Sequence, residues 1–338
     1  MKVVEEVVIK EFRGIRRLRE TIKLAKYNLV IGRNNVGKSA LLEALYLMAM
    51  PWEVSVPLIG KSRLSIISEL HGGSHSSLVY GYSGLARITY RLVNNTFSEV
   101  VLSPKGLKRI LIDNRECNHN EYITHIARSL GVRGGRENIV DIVNRLTFLI
   151  PNDTVFNIKL SGSLVSEDVW NSIIKYGLHR RVVEELVNPI VYDRFTEVLI
   201  ERGALKLRKE VGGDLGPLYI HLADLGDGVE RACLSALALE YVKPKLVLWD
   251  DIEVAAHPGL IEKLIEWLVR RDWQVVIATH SLDVLLSFIH VSPKDSQILL
   301  LRKTPDDVVE ARSYSIEEIE EFIDRGIDVR KIVDVLEL

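Results

Sequence analysis

The chain has 338 residues, 47% hydrophobic and 27% charged, with a formal net charge of −2. That balance belongs to a folded globular protein and excludes a disordered one, and the near-neutral charge excludes the global basic footprint of a dedicated nucleic-acid binder, so any DNA contact has to be local. Apolar runs such as 245–249 and 274–278 are far shorter than the ~20 residues needed to cross a bilayer, and Cys117 and Cys233 have no partner at disulfide or zinc-site spacing, so the reading is a cytoplasmic protein that does not span a membrane.

Residues 3–10 alternate apolar and charged side chains and predict a strand, as does the apolar run 27–31. A helix over 39–50 follows, with Leu41, Leu42, Leu45 and Met48 at helical spacing and Pro51 as its stop. Residues 57–77, rich in Ser, Gly and His, read as a loop. Alternating stretches at 86–93, 97–102 and 109–112, punctuated by Asn94-Asn95 and by 104–106, predict an antiparallel meander. Helical periodicity over 121–130, 137–146 and 166–187, the last opening on a Ser-Glu-Asp start suited to an N-cap, predicts an inserted helical subdomain over about 116–190. Short strands at 196–201, 204–209 and 218–222 lead into a glycine turn at 225–228 and a helix over 229–241. The runs 246–249 and 275–278 read as parallel strands buried on both faces, with an amphipathic helix over 260–270 between them. A strand at 297–302 and helices at 316–325 and 329–336 close the chain. The pattern predicts one α/β domain with an N-lobe over 1–115 and a C-lobe over about 191–338.

Gly32-Arg33-Asn34-Asn35-Val36-Gly37-Lys38-Ser39 fits GxxxxGK[ST] at every fixed position, between a predicted strand and a predicted helix, and Ala40 follows it as a further nucleotide-binding candidate. The glycines let backbone N–H groups converge on phosphate oxygens at a helix N-terminus, and Lys38 adds a mobile point charge. Ser39 offers a hydroxyl to Mg²⁺, and Asp250, at the end of a buried strand, offers the second protein anchor. The cofactors implied are ATP and Mg²⁺.

Four blocks carry a resemblance. Glu11-Phe-Arg-Gly-Ile15 with residues 28–45, Asp224-Leu225-Gly226-Asp227-Gly228-Val229-Glu230-Arg231, residues 250–258 and Ile277-Ala-Thr-His-Ser281 stand in the order found in the SMC, RecF and OLD group of ABC-type P-loop ATPases, which this chain resembles. The resemblance implies a P-loop NTPase fold with an ABC-ATPase-like mixed sheet, an antiparallel β subdomain and an inserted helical subdomain. It implies an ATP-dependent homodimer in which each nucleotide lies between one subunit's phosphate loop and the other's signature, here Leu225, Gly226, Asp227 and Gly228. The free N–H groups where residues 226–228 precede a helix suit such an anion site. Asp251 is the implied base that orients water and His280 the implied γ-phosphate sensor. Glu253 reads either as an alternative base, should its loop bend inward, or as an exposed structural carboxylate, the reading preferred. His257 either meets the partner's nucleotide or simply starts the helix at Pro258.

Three departures from the family pattern bear on rate. Gly226 replaces the signature serine, Asp251 replaces a glutamate that is one methylene longer, and neither Gln274 nor Gln297 lies where the family's Q-loop glutamine stands, leaving 71–77 as the substitute region. Slow turnover is the expectation, since misplacement of about 1 Å can cost roughly a hundredfold. Arg13 and Arg33 flank the nucleotide region and read either as phosphate or ribose contacts or as solvated arginines. The basic run Arg16, Arg17, Arg19, Lys23 and Lys26 offers a local DNA contact or a solvated face. The expected role is ATP hydrolysis in DNA repair or defence with a separate nuclease or effector protein. The rivals are a barely hydrolysing ATP switch and the nucleotide-binding subunit of a transporter.

Overall fold

The computed structural model describes residues 1–52, 54–132, 134–212 and 216–327. Strands β1 (Val4–Phe12) and β2 (Ile15–Leu18) form a hairpin, β3 (Ile22–Lys23) pairs with β1, and β4 (Tyr27–Ile31) runs through the glycine loop into helix α1 (Lys38–Tyr46). Every residue of β4 is buried, and nearly every residue of α1 as well, so both are wrapped by other layers.

Residues 57–77, expected as a loop, contain helix α2 (Arg63–Leu70). Ser62 caps it, accepting from the Ser65 N–H at 3.2 Å. So short a helix has little intrinsic stability, and tertiary contacts hold it. The fully buried Arg63 donates to Thr147 Oγ1 at 3.2 Å and Asn144 Oδ1 at 3.1 Å, and lies over the Tyr46 ring.

Strands β5 (Ala86–Leu92), β6 (Phe97–Ser103), β7 (Gly106–Ile112) and β8 (Arg115–Glu116) form the antiparallel meander, which continues the main sheet through β1–β5 pairing. The stretch 116–190 is less uniformly helical than its periodicity suggests. Helices α3 (His119–Ser129) and α4 (Arg136–Asn144) are followed by strand β9 (Thr147–Ile150), wholly buried, which joins the central sheet beside the strand that ends at Asp250. Helix α5 (Thr154–Leu164) comes next, and the single helix expected over 166–187 is broken at Gly177 (φ 67°) into α6 (Glu167–Lys175) and α7 (Leu178–Val182), which runs on as a π-helical turn. Ser166 does stand at the N-cap of α6, but its hydroxyl donates to the Ser163 carbonyl and does not accept from the helix.

Strands β10 (Glu197–Glu201), β11 (Ala204–Lys209) and β12 (Leu218–His221) make a small separate antiparallel sheet. The C-terminal half then alternates: α8 (Asp227–Val242), β13 (Leu246–Asp250), α9 (Pro258–Val269), β14 (Gln274–Thr279), α10 (Leu282–Val291), β15 (Ser296–Lys303), β16 (Val308–Tyr314) and α11 (Ile316–Asp324). Helix α10 and strand β16 had no counterpart among the expected elements, and the helix expected over 329–336 lies outside the described residues.

The main sheet runs β8-β7-β6-β5-β1-β2-β16-β15-β4-β14-β13-β9, with β15, β4, β14, β13 and β9 parallel. Register places the site. Ala278 of β14 stands opposite Val30 of β4 on one side and Asp250 of β13 on the other. The exit of β4 into the glycine loop and the end of β13 therefore meet at one carboxyl-terminal edge of the sheet, where open α/β folds bind ligands.

Candidate nucleotide site

The glycine loop is shaped by close packing. A Cβ on Gly32 would lie 2.7 Å from the Leu301 carbonyl oxygen and 2.7 Å from Val36 Cγ2, and Gly37 takes φ 104° as the N-cap of α1. Only glycine fits the first position, and only glycine takes the second without strain. Lys38 is buried and folds back so that its Nζ donates to the carbonyls of Gly32 (2.9 Å) and Arg33 (3.1 Å). Burial lowers the Lys38 pKa, opposed by the carboxylates of Asp251, Asp250 and Glu253. Burial likewise pushes the Asp250 carboxyl up to about 6; the hydrogen bond from the Ser39 hydroxyl opposes this, Asp251 and Glu43 reinforce it, and Lys38 opposes it again. Ser39 and Asp250 thus touch directly, in a place crowded with negative charge. That crowding suits a divalent cation, and the residues present fit Mg²⁺ held by an oxygen pair.

A cleft of about 370 Å³ opens here, lined by Arg13, Asn34, Asn35, Lys38, Ser39, Ala40, Asp250 and Asp251 among others. Arg33 is exposed and Val36 is buried behind the loop. Asp251 adopts φ 47°, and its carboxylate accepts from Asn152 Nδ2 at 3.0 Å while lying 3.4 Å from His280 Nδ1. Its backbone N–H donates to the Ala278 carbonyl at 3.0 Å, so β14 fixes the turn.

Glu253 is not the exposed carboxylate preferred from sequence. The loop turns inward, leaving its side chain 12% exposed, and Glu253 Oε1 accepts from Thr279 Oγ1 at 2.7 Å and lies 3.3 Å from His280 Nδ1. Glu253 Oε2 is buried with no partner among the described residues. Asp251, Glu253 and His280 therefore form one cluster, each offering an atom within 4.8 Å of the others, with the His280 ring exposed at its edge.

The signature region lies elsewhere. Leu225, Gly226, Asp227 and Gly228 line a second cleft of about 440 Å³ together with His257 and Lys263, and this cleft shares no lining residue with the first. Helix α8 starts at Asp227, two residues earlier than expected, so Gly228 lies inside its first turn and not in a loop before it. Gly226 is the N-cap at φ 93°, ψ 149°, a backbone region essentially restricted to glycine. A Cβ on Gly228 would come within 2.1 Å of the Ala255 carbonyl oxygen, so α8 packs on the loop carrying Glu253 and His257 with no room to spare. His257 caps α9, its Nδ1 accepting from the Gly259 N–H at 3.2 Å, and also lines the signature cleft, so both of its alternative readings remain structurally compatible.

Two groups escaped the reading of the sequence. Arg231, buried in α8, donates to the carbonyls of Asp251 (2.9 Å), Asp250 (3.1 Å) and Pro151 (3.4 Å), tying the signature helix to the end of β13. Glu43, buried in α1, pairs with Arg13 at 2.8 Å and with His71 at 2.9 Å. The available signal for Glu43 was a charge inside an apolar run, Leu41-Leu-Glu-Ala-Leu45, whereas Arg231 follows Glu230 and carries no such mark.

The chain matches two family models: one described as "AAA ATPase domain" over residues 1–128, and one described as "AAA domain, putative AbiEii toxin, Type IV TA system" over residues 120–287. No curated protein matches it. Among solved structures it is similar to an Smc head bound to the C-terminal winged-helix domain of ScpA, with TM-score 0.61 and 15% identity over 95% of this chain and 100% of that one. It is similar as well to the Smc head with an extended coiled coil from Pyrococcus furiosus, bound to the C-terminal domain of ScpA (TM-score 0.60, 13%, covering 96% and 99%). A third is the SMC head domain from Thermotoga maritima (TM-score 0.53, 11%, covering 93% and 100%). At these identities the structures show a shared fold.

Proposed function

We propose that the chain is an SMC/RecF-like P-loop ATPase that binds Mg-ATP in the cleft around Lys38, dimerises on it, and hydrolyses it slowly in DNA repair or defence. The observation that carries the reading is the convergence of Lys38, Ser39 and Asp250 at one sheet edge, with the cluster of Asp251, Glu253 and His280 beside them.

In this reading the amides of residues 32–40 and Lys38 hold the phosphates, while Ser39 and Asp250 hold the Mg²⁺, which when bound offsets charge on the β- and γ-phosphates. Asp251, on the cleft wall, orients the attacking water, and His280 holds the far side of the site. Glu253 fixes His280 by accepting from its backbone N–H (3.3 Å) and from Thr279. The separation of the two clefts supports dimerisation, because a signature that lines no part of its own phosphate cleft is left open to meet another subunit's. Two of the similar Smc heads are bound to domains of ScpA, which supports a protein partner, and the match to a family described by a putative AbiEii toxin supports defence. DNA and a nuclease or effector protein are the partners proposed.

Slow turnover has its own support. Asp251 is held by both Asn152 and His280 in a left-handed backbone conformation, and Gly226 brings no hydroxyl. Taken further, these features favour the second reading, an ATP-held switch. Mass in solution and phosphate release with Mg-ATP, measured for the parent and Asp251→Asn with and without duplex DNA, separate the cases. The proposal expects a doubled mass with ATP, longest-lived in the variant, and release only by the parent. A parent no faster than the variant under all conditions removes hydrolysis, and an unchanged mass removes the dimer.

A further inference from the structure

Arg13, Glu43 and His71 close a three-membered ring of hydrogen bonds at the rim of the phosphate cleft. Arg13 Nη1 donates to Glu43 Oε2 at 2.8 Å, Arg13 Nη2 lies 3.3 Å from His71 Nδ1, and His71 Nε2 lies 2.9 Å from Glu43 Oε1. A guanidinium has only donors, so Nδ1 must accept, and the proton of the neutral imidazole sits on Nε2, where it donates to Glu43. The Glu43 side chain is 5% exposed on α1, one turn beyond Ser39, whereas Arg13 reaches the cleft from the turn between β1 and β2, and His71 arrives from the end of α2. The ring thus joins three elements, and one of its members lines the nucleotide cleft.

Charge counting gives the ring a consequence. With His71 neutral, the Arg13 cation is matched by Glu43 and is not free to serve a phosphate. With His71 protonated, Nδ1 carries a hydrogen and no longer accepts from Arg13, while the imidazolium matches Glu43. Arg13 then loses one of its two acceptors, and Glu43 is shared between two cations, which leaves one positive charge in excess at the wall of a cleft shaped for a triphosphate. The charged groups described as facing the His71 ring are Arg13 from the hairpin turn and Glu43 from α1.

We propose that His71 is a positioning residue that decides whether Arg13 pairs with Glu43 or with the phosphates of the bound nucleotide. This rests on the nucleotide reading of the cleft. By linkage, a site that binds phosphate better when His71 is protonated must take up a proton at His71 when phosphate binds. His71→Gln is the informative variant: its amide accepts from Arg13 and donates to Glu43 as neutral histidine does, but it does not titrate.

The test is calorimetric titration of the full chain with Mg²⁺ and a non-hydrolysable ATP analogue, in two buffers of different ionisation heat, at pH 6, 7 and 8. Proton release from Asp250 on metal binding is common to parent and variant and cancels in their difference. The parent is expected to take up more protons than His71→Gln, by up to about one, and its affinity relative to the variant's is expected to rise as pH falls, by at most about tenfold per unit. His71→Ala, which leaves Glu43 to Arg13 alone, is expected to bind more weakly than His71→Gln at every pH. Equal proton uptake by parent and His71→Gln overturns the role of His71 while leaving the nucleotide site intact. No saturable heat from a folded parent overturns the nucleotide reading itself.

Discussion

Replacing Asp250 by asparagine is expected to stabilise the empty protein while disabling its metal anchor. Burial pushes the carboxyl from its ordinary 3.8 up to about 6, so the folded protein carries an ionised group it would rather hold protonated. Each unit is worth about 1.4 kcal/mol, which makes the upper limit on the order of 3 kcal/mol, and water in the adjoining cleft reduces this to an expected gain of about 1–3 kcal/mol. For a chain of this length that corresponds to a rise in melting temperature of roughly 2–4 °C. The sign with pH follows from the raised value. The folded state binds the proton more tightly than the unfolded one, so the parent loses stability as pH rises from 3.8 to about 6 and the loss is complete above that. The variant's advantage is therefore full at pH 8 and shrinks as pH falls toward 4. With excess Mg-ATP the order reverses, because ligand at a thousand times its Kd adds about 4.1 kcal/mol to a protein that binds it. Calorimetric melting of both proteins at pH 5 and 8, with and without Mg-ATP, reads all of this. A variant less stable than the empty parent at pH 8, or one equally protected by Mg-ATP, refutes the reasoning.

Gly228→Ala places a Cβ 2.1 Å from the Ala255 carbonyl oxygen, a backbone atom with no rotamer to yield, and is expected to lower stability by about 1–3 kcal/mol and to weaken ATP-dependent association. Denaturant titration and light scattering check the two effects. Arg231→Met leaves the carbonyls of Pro151, Asp250 and Asp251 without their shared donor, and a loss of roughly 2–4 kcal/mol is expected, with kcat falling more than KM rises. Gly226→Ser restores the family's hydroxyl in open space but at φ 93°, so phosphate release is expected not to increase.

The parts of the fold visible in sequence are those governed by local chemistry. The glycine loop, the buried strands β4, β13 and β14, and helix α9 all follow from apolar runs bounded by Gly, Asp or Pro, and each was placed within a few residues. Helix α2 was hidden because its stability comes from Arg63 bonding across the chain to Asn144 and Thr147. Strand β9 was hidden because it has only four residues beside two helical stretches, and its pairing partner lies about a hundred positions onward. The site divides the same way. Residue identity named Lys38, Ser39 and Asp250, but the inward turn of Glu253 depends on the left-handed backbone of Asp251 and on Thr279, which no local pattern states. Glu43 and Arg231 act through long-range bonds, and only Glu43, a charge within an apolar run, is marked in the sequence.

The central claim is that Lys38, Ser39 and Asp250 grip a magnesium-bound triphosphate. Equilibrium dialysis of the folded chain against labelled ATP, with Mg²⁺ or with chelator, for the parent and for Lys38→Ala of matched circular dichroism, tests it most directly. Saturable retention by the parent that requires Mg²⁺ and disappears in the variant is the predicted result. Retention that is indifferent to both the metal and Lys38, or none by the folded parent, contradicts it.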